Sequence, residues 1–301
     1  MRHKQGRPEP ALSAGRPSTF AHRRPMTAFL LLAFGTGWTA LMVALLADLP
    51  VEPFLLFLSY VSLLGSAVFV TRAVGGRGAV RGLLSRLLIW RFGLGRWIVI
   101  MFGVPGLTVA VAAVWGTLGT PGDGWGGALA DYVVAVAVLA VLVNMWEETG
   151  WGGFAQSHLM ARHGLLVGSL LTAPLFAGIH LPLQFLGDAP RSQVVTGIAV
   201  LFAAAPIYRY LLGMHLLDTG GSILAIAVQH ASWNASQDLG GDDGWWQSIV
   251  AVALLTLLLA LQRRIRHKQT SPVGLEAEKA AAADWLAVGP ADAGVETGAA
   301  G

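Results

Sequence analysis

Residues 26–47 read MTAFLLLAFGTGWTALMVALLA and carry no charged side chain. A helix of about 18 or more apolar residues is long enough to cross the hydrocarbon core of a bilayer. The segment is also too long for the apolar core of a signal peptide, so it predicts a retained membrane span. The whole chain has this character, since 54% of its 301 residues are apolar and only 12% are charged. This composition excludes a water-soluble globular protein, and the absence of cysteine excludes disulfides, thiolate metal sites and a cysteine nucleophile.

Seven further apolar segments are long enough to cross a membrane. The sequence therefore predicts an all-α fold, a polytopic transmembrane helical bundle of about eight spans. Between the second and third spans, residues 71–96 alternate arginines with Leu, Ile and Trp, which predicts an amphipathic helix in the membrane interface. The predicted spans are 26–47, 53–70, 97–116, 129–160, 165–186, 193–212, 221–238 and 245–262.

These spans divide the chain into four regions. The C-terminal region is basic and then rich in Ala and Gly, a composition that cannot build a packed core and predicts disorder. The regions are a polar cytoplasmic N-terminal segment (1–25), spans one to three with the interfacial segment 71–96 (26–128), a core of spans four to eight (129–262) and the cytoplasmic tail (263–301).

The basic residues predict the orientation. Eight spans place both termini on one side, and in this assignment nineteen of the twenty Lys and Arg residues fall on that side, Arg162 and Arg209 among them. The positive-inside rule then predicts a multi-pass cell-membrane protein with both termini in the cytoplasm. The basic residues are thereby explained by orientation, so no nucleic-acid partner is expected. The predicted partners are membrane lipids and a peptide or protein substrate, including a lipidated one, while the oligomeric state stays open.

Few polar residues lie inside the spans. Glu147 and Glu148 lie in the fourth span, His180 in the fifth, and His230 with Asn234 in the seventh. Ionisable groups at bilayer depth are costly and indicate function by default. The helix rise places all of them at a similar depth. His230 and Asn234 share a helix face, whereas adjacent glutamates lie about 100° apart and must point in different directions.

Three other histidines, and the arginines of 71–96, have simpler explanations. His158, His163 and His215 lie at span ends and are predicted to be interfacial. The arginines are sufficiently explained by membrane orientation.

The intramembrane polar groups have the chemistry of a hydrolase without a covalent nucleophile. A carboxylate and two imidazoles can deprotonate water, either directly or through a bound metal. A His/Asn pair can hold a metal or stabilise an oxyanion. The sequence contains neither HExxH nor GxSxG, the motifs of zincin and serine-type hydrolase sites.

At these residues the sequence resembles the CPBP family, the CAAX prenyl endopeptidase and bacteriocin-processing (Abi) proteins, which are intramembrane metalloproteases. The family pattern is EExxxR, then FxxxH, then HxxxN, on three helices. Glu147-Glu148 is similar to the first motif, Phe176 to His180 to the second, and His230 to Asn234 to the third. The resemblance covers about residues 130–240.

The resemblance implies an endopeptidase of the CAAX protease type and assigns roles. Glu147 and His180 would activate water, and Glu148 would be a second essential or supporting carboxylate. His230 and Asn234 would ligate a metal or stabilise the tetrahedral oxyanion. The same resemblance makes a divalent metal, with zinc as the candidate, the expected cofactor, and its ligands would be Glu147, His180, His230 and Asn234.

One position departs from the family pattern. The arginine of EExxxR is replaced by Gly152, so Arg162 or Arg209 would have to supply the missing guanidinium. The departure keeps open a catalytically inactive family member that acts as a membrane scaffold or bacteriocin-immunity-type protein. An ion-coupled transporter would use the same buried groups, but it predicts repeated halves with broken helices, which the sequence does not show.

Overall fold

A computed structural model describes residues 19–187, 190–240 and 245–269 of the chain. These residues form helices and connecting turns and contain no strand, which confirms the predicted all-α fold. Most of the predicted N-terminal segment and most of the predicted tail lie outside the described residues.

The helices follow the predicted apolar segments along the chain. A one-turn helix, Phe20–Arg23, precedes the first long helix, and a short 3₁₀ segment, Leu181–Phe185, follows the fourth. We label the main helices α1 (Pro25–Leu46), α2 (Glu52–Leu88), α3 (Leu94–Trp115), α4 (Gly124–Ile179), α5 (Arg191–Asp218), α6 (Ile223–Ser236) and α7 (Trp245–Gln269).

Two of these helices change direction at a glycine. Gly76 in α2 has φ 71° and Gly164 in α4 has φ 75°, a left-handed conformation that glycine adopts without steric cost. Gly164 divides α4 into a first arm, residues 124–163, and a second arm, residues 165–179. The two arms correspond to the predicted fourth and fifth spans.

Within the described residues, six helices are long and apolar enough to cross a membrane. Both arms of α4 count as one of the six, and α6, with 14 residues, is too short to be included. The polytopic bundle is therefore confirmed, while the count of eight spans stays a prediction.

The short helix α6 lies in the middle of the bundle. It packs against α3, α5 and the first arm of α4, and most of its residues are buried. Because protein rather than lipid surrounds α6, it does not need the length of a lipid-facing span. The outer helices expose large apolar side chains, as lipid-facing surfaces do. Examples are Leu31, Val114, Leu129 and Leu258.

One sequence prediction about a single residue is wrong. Arg209 is fully buried inside α5 and not at the terminal side, because α5 continues beyond residue 212 to Asp218. His215, predicted to lie at a span end, is in the last turn of the same helix and is 1% exposed. Without Arg209, eighteen basic residues remain on the predicted cytoplasmic side.

Arg86, which lies in the predicted interfacial segment, is also buried. Its guanidinium donates hydrogen bonds to the carbonyls of Gly221 (2.8 Å) and Gly153 (2.9 Å) and to Ser157 Oγ (3.1 Å). The side chain therefore joins the end of α2 to the first arm of α4 and to the turn before α6.

Candidate active site

The two adjacent glutamates lie on a single α-helical turn between two π-helical segments of α4. The turn is Met145–Glu148, and the π-helical segments are Ala140–Asn144 and Thr149–Gln156. π-Helical turns inside α-helices are frequent at functional sites because they shift the direction of the side chains. Glu147 is 6% exposed and Glu148 is fully buried.

Glu147 forms a pair with His180, at the end of the second arm. Glu147 Oε1 lies 3.3 Å from His180 Nε2, while His180 Nδ1 lies 2.7 Å from the Phe176 carbonyl oxygen. A carbonyl only accepts hydrogen bonds, so Nδ1 carries the hydrogen and Nε2 of the neutral ring presents its lone pair to Glu147.

Glu147 Oε1 and His180 Nε2 can together accept one more proton. The 3.3 Å contact is longer than a charge-assisted hydrogen bond of about 2.7–2.9 Å. Within the described part of the chain, Glu147 Oε1 has no hydrogen-bond donor. The His180 side chain is 20% exposed, so the pair is accessible.

Glu148 points to different partners, as the 100° spacing predicts. It accepts hydrogen bonds from Arg209 Nη1 at 2.9 and 3.1 Å through its two oxygens. Its Oε1 also lies 2.9 Å from His230 Nδ1. The carboxylate is therefore an acceptor for Nδ1–H, which leaves His230 Nε2 for another partner. α4, α5 and α6 each supply one member of this triad.

Gln156 fixes the guanidinium from the other side. Gln156 Oε1 accepts a hydrogen bond from Arg209 Nε at 2.9 Å and a second one from Arg209 Nη2. Gln156 Nε2 donates to the Arg209 backbone carbonyl at 2.7 Å and to Ser169 Oγ at 3.1 Å. Arg209 thus has every side of its charged group occupied, although it is fully buried.

The geometry explains how the site exists without an arginine at position 152. A Cβ atom on Gly152 would collide with the Ile226 side chain and would lie 2.9 Å from a Glu148 oxygen. A larger side chain there would require the Ile226 side chain to move. Arg209 brings a guanidinium to Glu148 from α5 instead, whereas Arg162 is exposed at the far end of the first arm.

Aromatic rings separate and position the two imidazoles. The Phe176 ring centroid lies 4.8 Å from that of His180 and 5.9 Å from that of His230. The Tyr208 ring lies 5.4 Å from the His230 ring and 4.2 Å from Trp233. Sequence reasoning did not identify Tyr208, because an aromatic residue in an apolar span has no distinguishing local pattern.

The structure brings four of the five predicted site residues together. Glu147 contacts His180, Glu148 contacts His230, and Phe176 bridges the two pairs. Asn234 lies one helical turn beyond His230 and is partly exposed. Its side chain makes no hydrogen bond to the described residues. Its amide is therefore available for a ligand.

The donor set does not form a metal centre in this arrangement. Among the described residues, no three His, Asp, Glu or Cys side chains come close enough to hold a metal ion together. Each carboxylate is paired with a different imidazole, so the four predicted ligands do not face one point. The divalent ion, with zinc as the candidate, therefore stays a prediction, and the reaction proposed below is written without it.

A cavity of about 270 Å³ lies beside the site, between α5 and α7. Phe176, whose ring lies next to both imidazoles, and Trp233 line it together with small residues of α5. The residues that line it include Gln184, Gly197, Ala204, Ala205, Trp245 and Ile249.

The comparisons with known proteins give one match. Residues 129–236 match the family model described as Rce1-like, type II CAAX prenyl endopeptidase. No curated protein matches the chain at a significant level. The family match confirms the resemblance and supports a membrane endopeptidase of the CAAX protease type in general. It covers the helices that carry all five predicted site residues.

Proposed function

We propose that this chain, whose central segment matches the type II CAAX prenyl endopeptidase family, hydrolyses a peptide bond near the end of a lipidated peptide by means of a water activated by Glu147 and His180. The single observation that carries the proposal is the Glu147–His180 pair, with its 3.3 Å separation and its hydrogen bond to the Phe176 carbonyl. The family match supports the reaction class.

The first step of the proposed reaction is proton abstraction from water. A water bound at Glu147 Oε1 gives a proton to the Glu147–His180 pair while its oxygen attacks the peptide carbonyl carbon. The pair then returns that proton to the leaving amide nitrogen as the carbon–nitrogen bond breaks. The enzyme ends in its starting protonation state, so the cycle needs no further reactant.

The developing oxyanion is assigned to Asn234 and His230. The Asn234 amide donates a hydrogen bond in any protonation state. His230 Nε2 donates a second hydrogen bond when the ring carries a hydrogen on both nitrogens. Arg209 acts as a positioning residue, since it contacts Glu148 and no reacting atom.

The buried arginine favours an active enzyme over an inactive scaffold. The scaffold alternative rested on Gly152, and Arg209 brings a guanidinium to Glu148 despite that substitution. A scaffold would have no use for the accessible Glu147–His180 pair.

The experiment measures cleavage of a farnesylated peptide with a C-terminal CAAX sequence by purified full-length protein in lipid nanodiscs. We expect Glu147→Gln to lower the rate by about 10²–10⁴-fold, because a general base of this kind contributes that much. The control is Glu52→Gln, which removes an exposed carboxylate outside the site. Equal cleavage by wild type and Glu147→Gln protein of unchanged stability would disprove the proposal.

The same assay tests the metal prediction. Cleavage that persists after treatment with a chelator would show that Glu147 and His180 activate water without a metal, and would contradict the zinc prediction. Loss of activity that zinc alone restores would instead establish the zinc centre.

The proposed orientation places both termini in the cytoplasm. Its support is the distribution of basic residues, and reporter fusions at the two termini test it. A terminus that reports from the outer side contradicts the assignment.

A further inference from the structure

A second cavity, of about 240 Å³, lies at the opposite end of the molecule from the catalytic pairs. It is formed where α1 begins and where the first arm of α4 ends. His158, one of its lining residues, follows Glu147 by eleven positions on α4, or roughly 16 Å at 1.5 Å per residue. The cavity is therefore separate from the proposed active site.

The lining of this cavity is strongly basic. Two of its arginines precede α1 and a third lies at the end of the first arm, together with two histidines, and no acidic residue is among the lining residues described. The cavity is lined by Arg23, Arg24, Pro25, Met26, Thr27, His158, Leu159, Arg162 and His163.

The described residues supply no carboxylate to the arginines of this cavity. In the part of the chain that the structure describes, neither Arg23, Arg24 nor Arg162 forms an ion pair with a carboxylate. Three arginines, all exposed, thus lie around one space of molecular size. An anion that binds in this space is attracted by several positive charges at once.

We propose that this cavity binds the phosphate group of an anionic phospholipid. Guanidinium groups match phosphate oxygens through paired hydrogen bonds, which favours phosphate over a diffuse counter-ion. The cavity lies at the ends of two spanning helices, the level at which lipid headgroups meet the protein. The side is also the predicted cytoplasmic face, whose leaflet carries the anionic lipids.

The arginines of α2 provide a matched comparison. Arg72, Arg77 and Arg81 are exposed and belong to the same basic side of the sequence, yet none of them lines this cavity. Orientation alone explains exposed arginines in either place. The two sets of arginines should therefore differ in lipid binding only if the cavity is a specific binding site.

The test measures binding of dioleoylphosphatidylglycerol to the purified full-length protein in a neutral detergent. Arg24→Ala/Arg162→Ala is compared with Arg77→Ala/Arg81→Ala, which removes the same charge outside the cavity. We expect the cavity variant to bind about thirtyfold more weakly, and the control variant to bind nearly as wild type does. Equal losses in both variants, or no loss in either, would overturn the proposal.

Two further measurements identify the source of the phosphate. Inorganic phosphate that displaces the lipid in the wild type, where chloride at equal ionic strength does not, assigns the site to phosphate from either source. Binding restricted to the lipid assigns it to the headgroup in its membrane context. Equal binding of dioleoylphosphatidylcholine would overturn the anionic preference.

A folding control keeps the test decisive. Thermal unfolding without added lipid is measured for each variant. If the alanine pair unfolds early, Arg24→Gln/Arg162→Gln keeps the side-chain size and removes only the charge. Undiminished lipid binding by that folded pair would equally disprove the site.

Discussion

Helix α5 carries two arginine–carboxylate clusters that differ in surroundings. Arg209 pairs with Glu148, and both side chains are fully buried. Nine residues later, Asp218 pairs with Arg96 at 2.6 Å, with Arg266 at 3.5 Å and with Arg263. The side chains around Asp218 are 9–48% exposed. The same chemistry therefore occurs once in the dry interior and once at the edge of the bundle.

The two clusters differ in how much their ion pairs can contribute to the stability of the fold. Water and salt screen the Asp218 cluster, and three arginines share one carboxylate, so the loss of one contact changes little. The Arg209 and Glu148 side chains are fully buried, so water cannot readily replace a lost partner. Burying both charges costs free energy, and removing one partner costs more because the other charge is left buried and unpaired. Such a pair therefore holds the groups it joins in one geometry.

The largest effect is expected when the buried cluster is broken on one side. Arg209→Met leaves Glu148 buried and without its cation, and we expect the free energy of unfolding to fall by about 3–5 kcal/mol. Reversible unfolding in mixed micelles measures it. Arg191→Met, an exposed position on the same helix, is the control. A change below about 1 kcal/mol would show that the two clusters are equivalent.

Removing both charges should separate stability from activity. Arg209→Met/Glu148→Gln eliminates the unpaired carboxylate, so we expect most of the lost stability to return. Cleavage of the farnesylated peptide should stay low, because His230 no longer has a carboxylate at Nδ1. Unfolding and cleavage measured on both single variants complete the cycle, and strict additivity in stability contradicts the pairing.

A smaller loss is expected from the support of the guanidinium. Gln156→Leu removes the acceptor of two Arg209 hydrogen bonds, and an unsatisfied buried donor costs about 1–3 kcal/mol. We expect unfolding to be affected by that amount and cleavage to decrease in parallel. Gln193→Leu, on the first turn of α5 and away from this cluster, provides the comparison.

The smallest effect is expected at the outer cluster. Arg96→Gln should lower the free energy of unfolding by about 0–1 kcal/mol, and less in high salt, because Asp218 keeps its contacts with Arg263 and Arg266. The measurement is unfolding at two ionic strengths. A salt-independent loss of several kcal/mol would place Asp218 in the same class as Glu148.

The spans and the three motifs could be predicted from sequence because their signals are local. Hydropathy over a span and spacings of three or four residues depend only on neighbouring positions. The partner of Glu148 could not be assigned, because Arg209 is 61 residues away and its helix continues past the predicted end. Likewise, nothing in a short window marks His215 as buried or α6 as central, since both depend on which helices surround them.

The π-helical turns were equally inaccessible from sequence. The residues from Thr149 to Gln156 include three glycines and read as an ordinary continuation of the span. Their wider turn results from the packing of α4 around the site. The sequence therefore predicted which polar residues lie inside the spans but not how their side chains are oriented.

Arg86 has a mechanical consequence for the catalytic helices. Its guanidinium holds the Gly153 and Gly221 carbonyls together, beyond the glutamates on α4 and before His230 on α6. The first arm of α4 and α6 are joined a second time where Tyr132 Oη donates a hydrogen bond to Ser232 Oγ at 2.8 Å. The Glu148–His230 contact lies between these two ties along both helices. The spacing of the two helices is thus held on both sides of that contact, and the loss of either tie should loosen it.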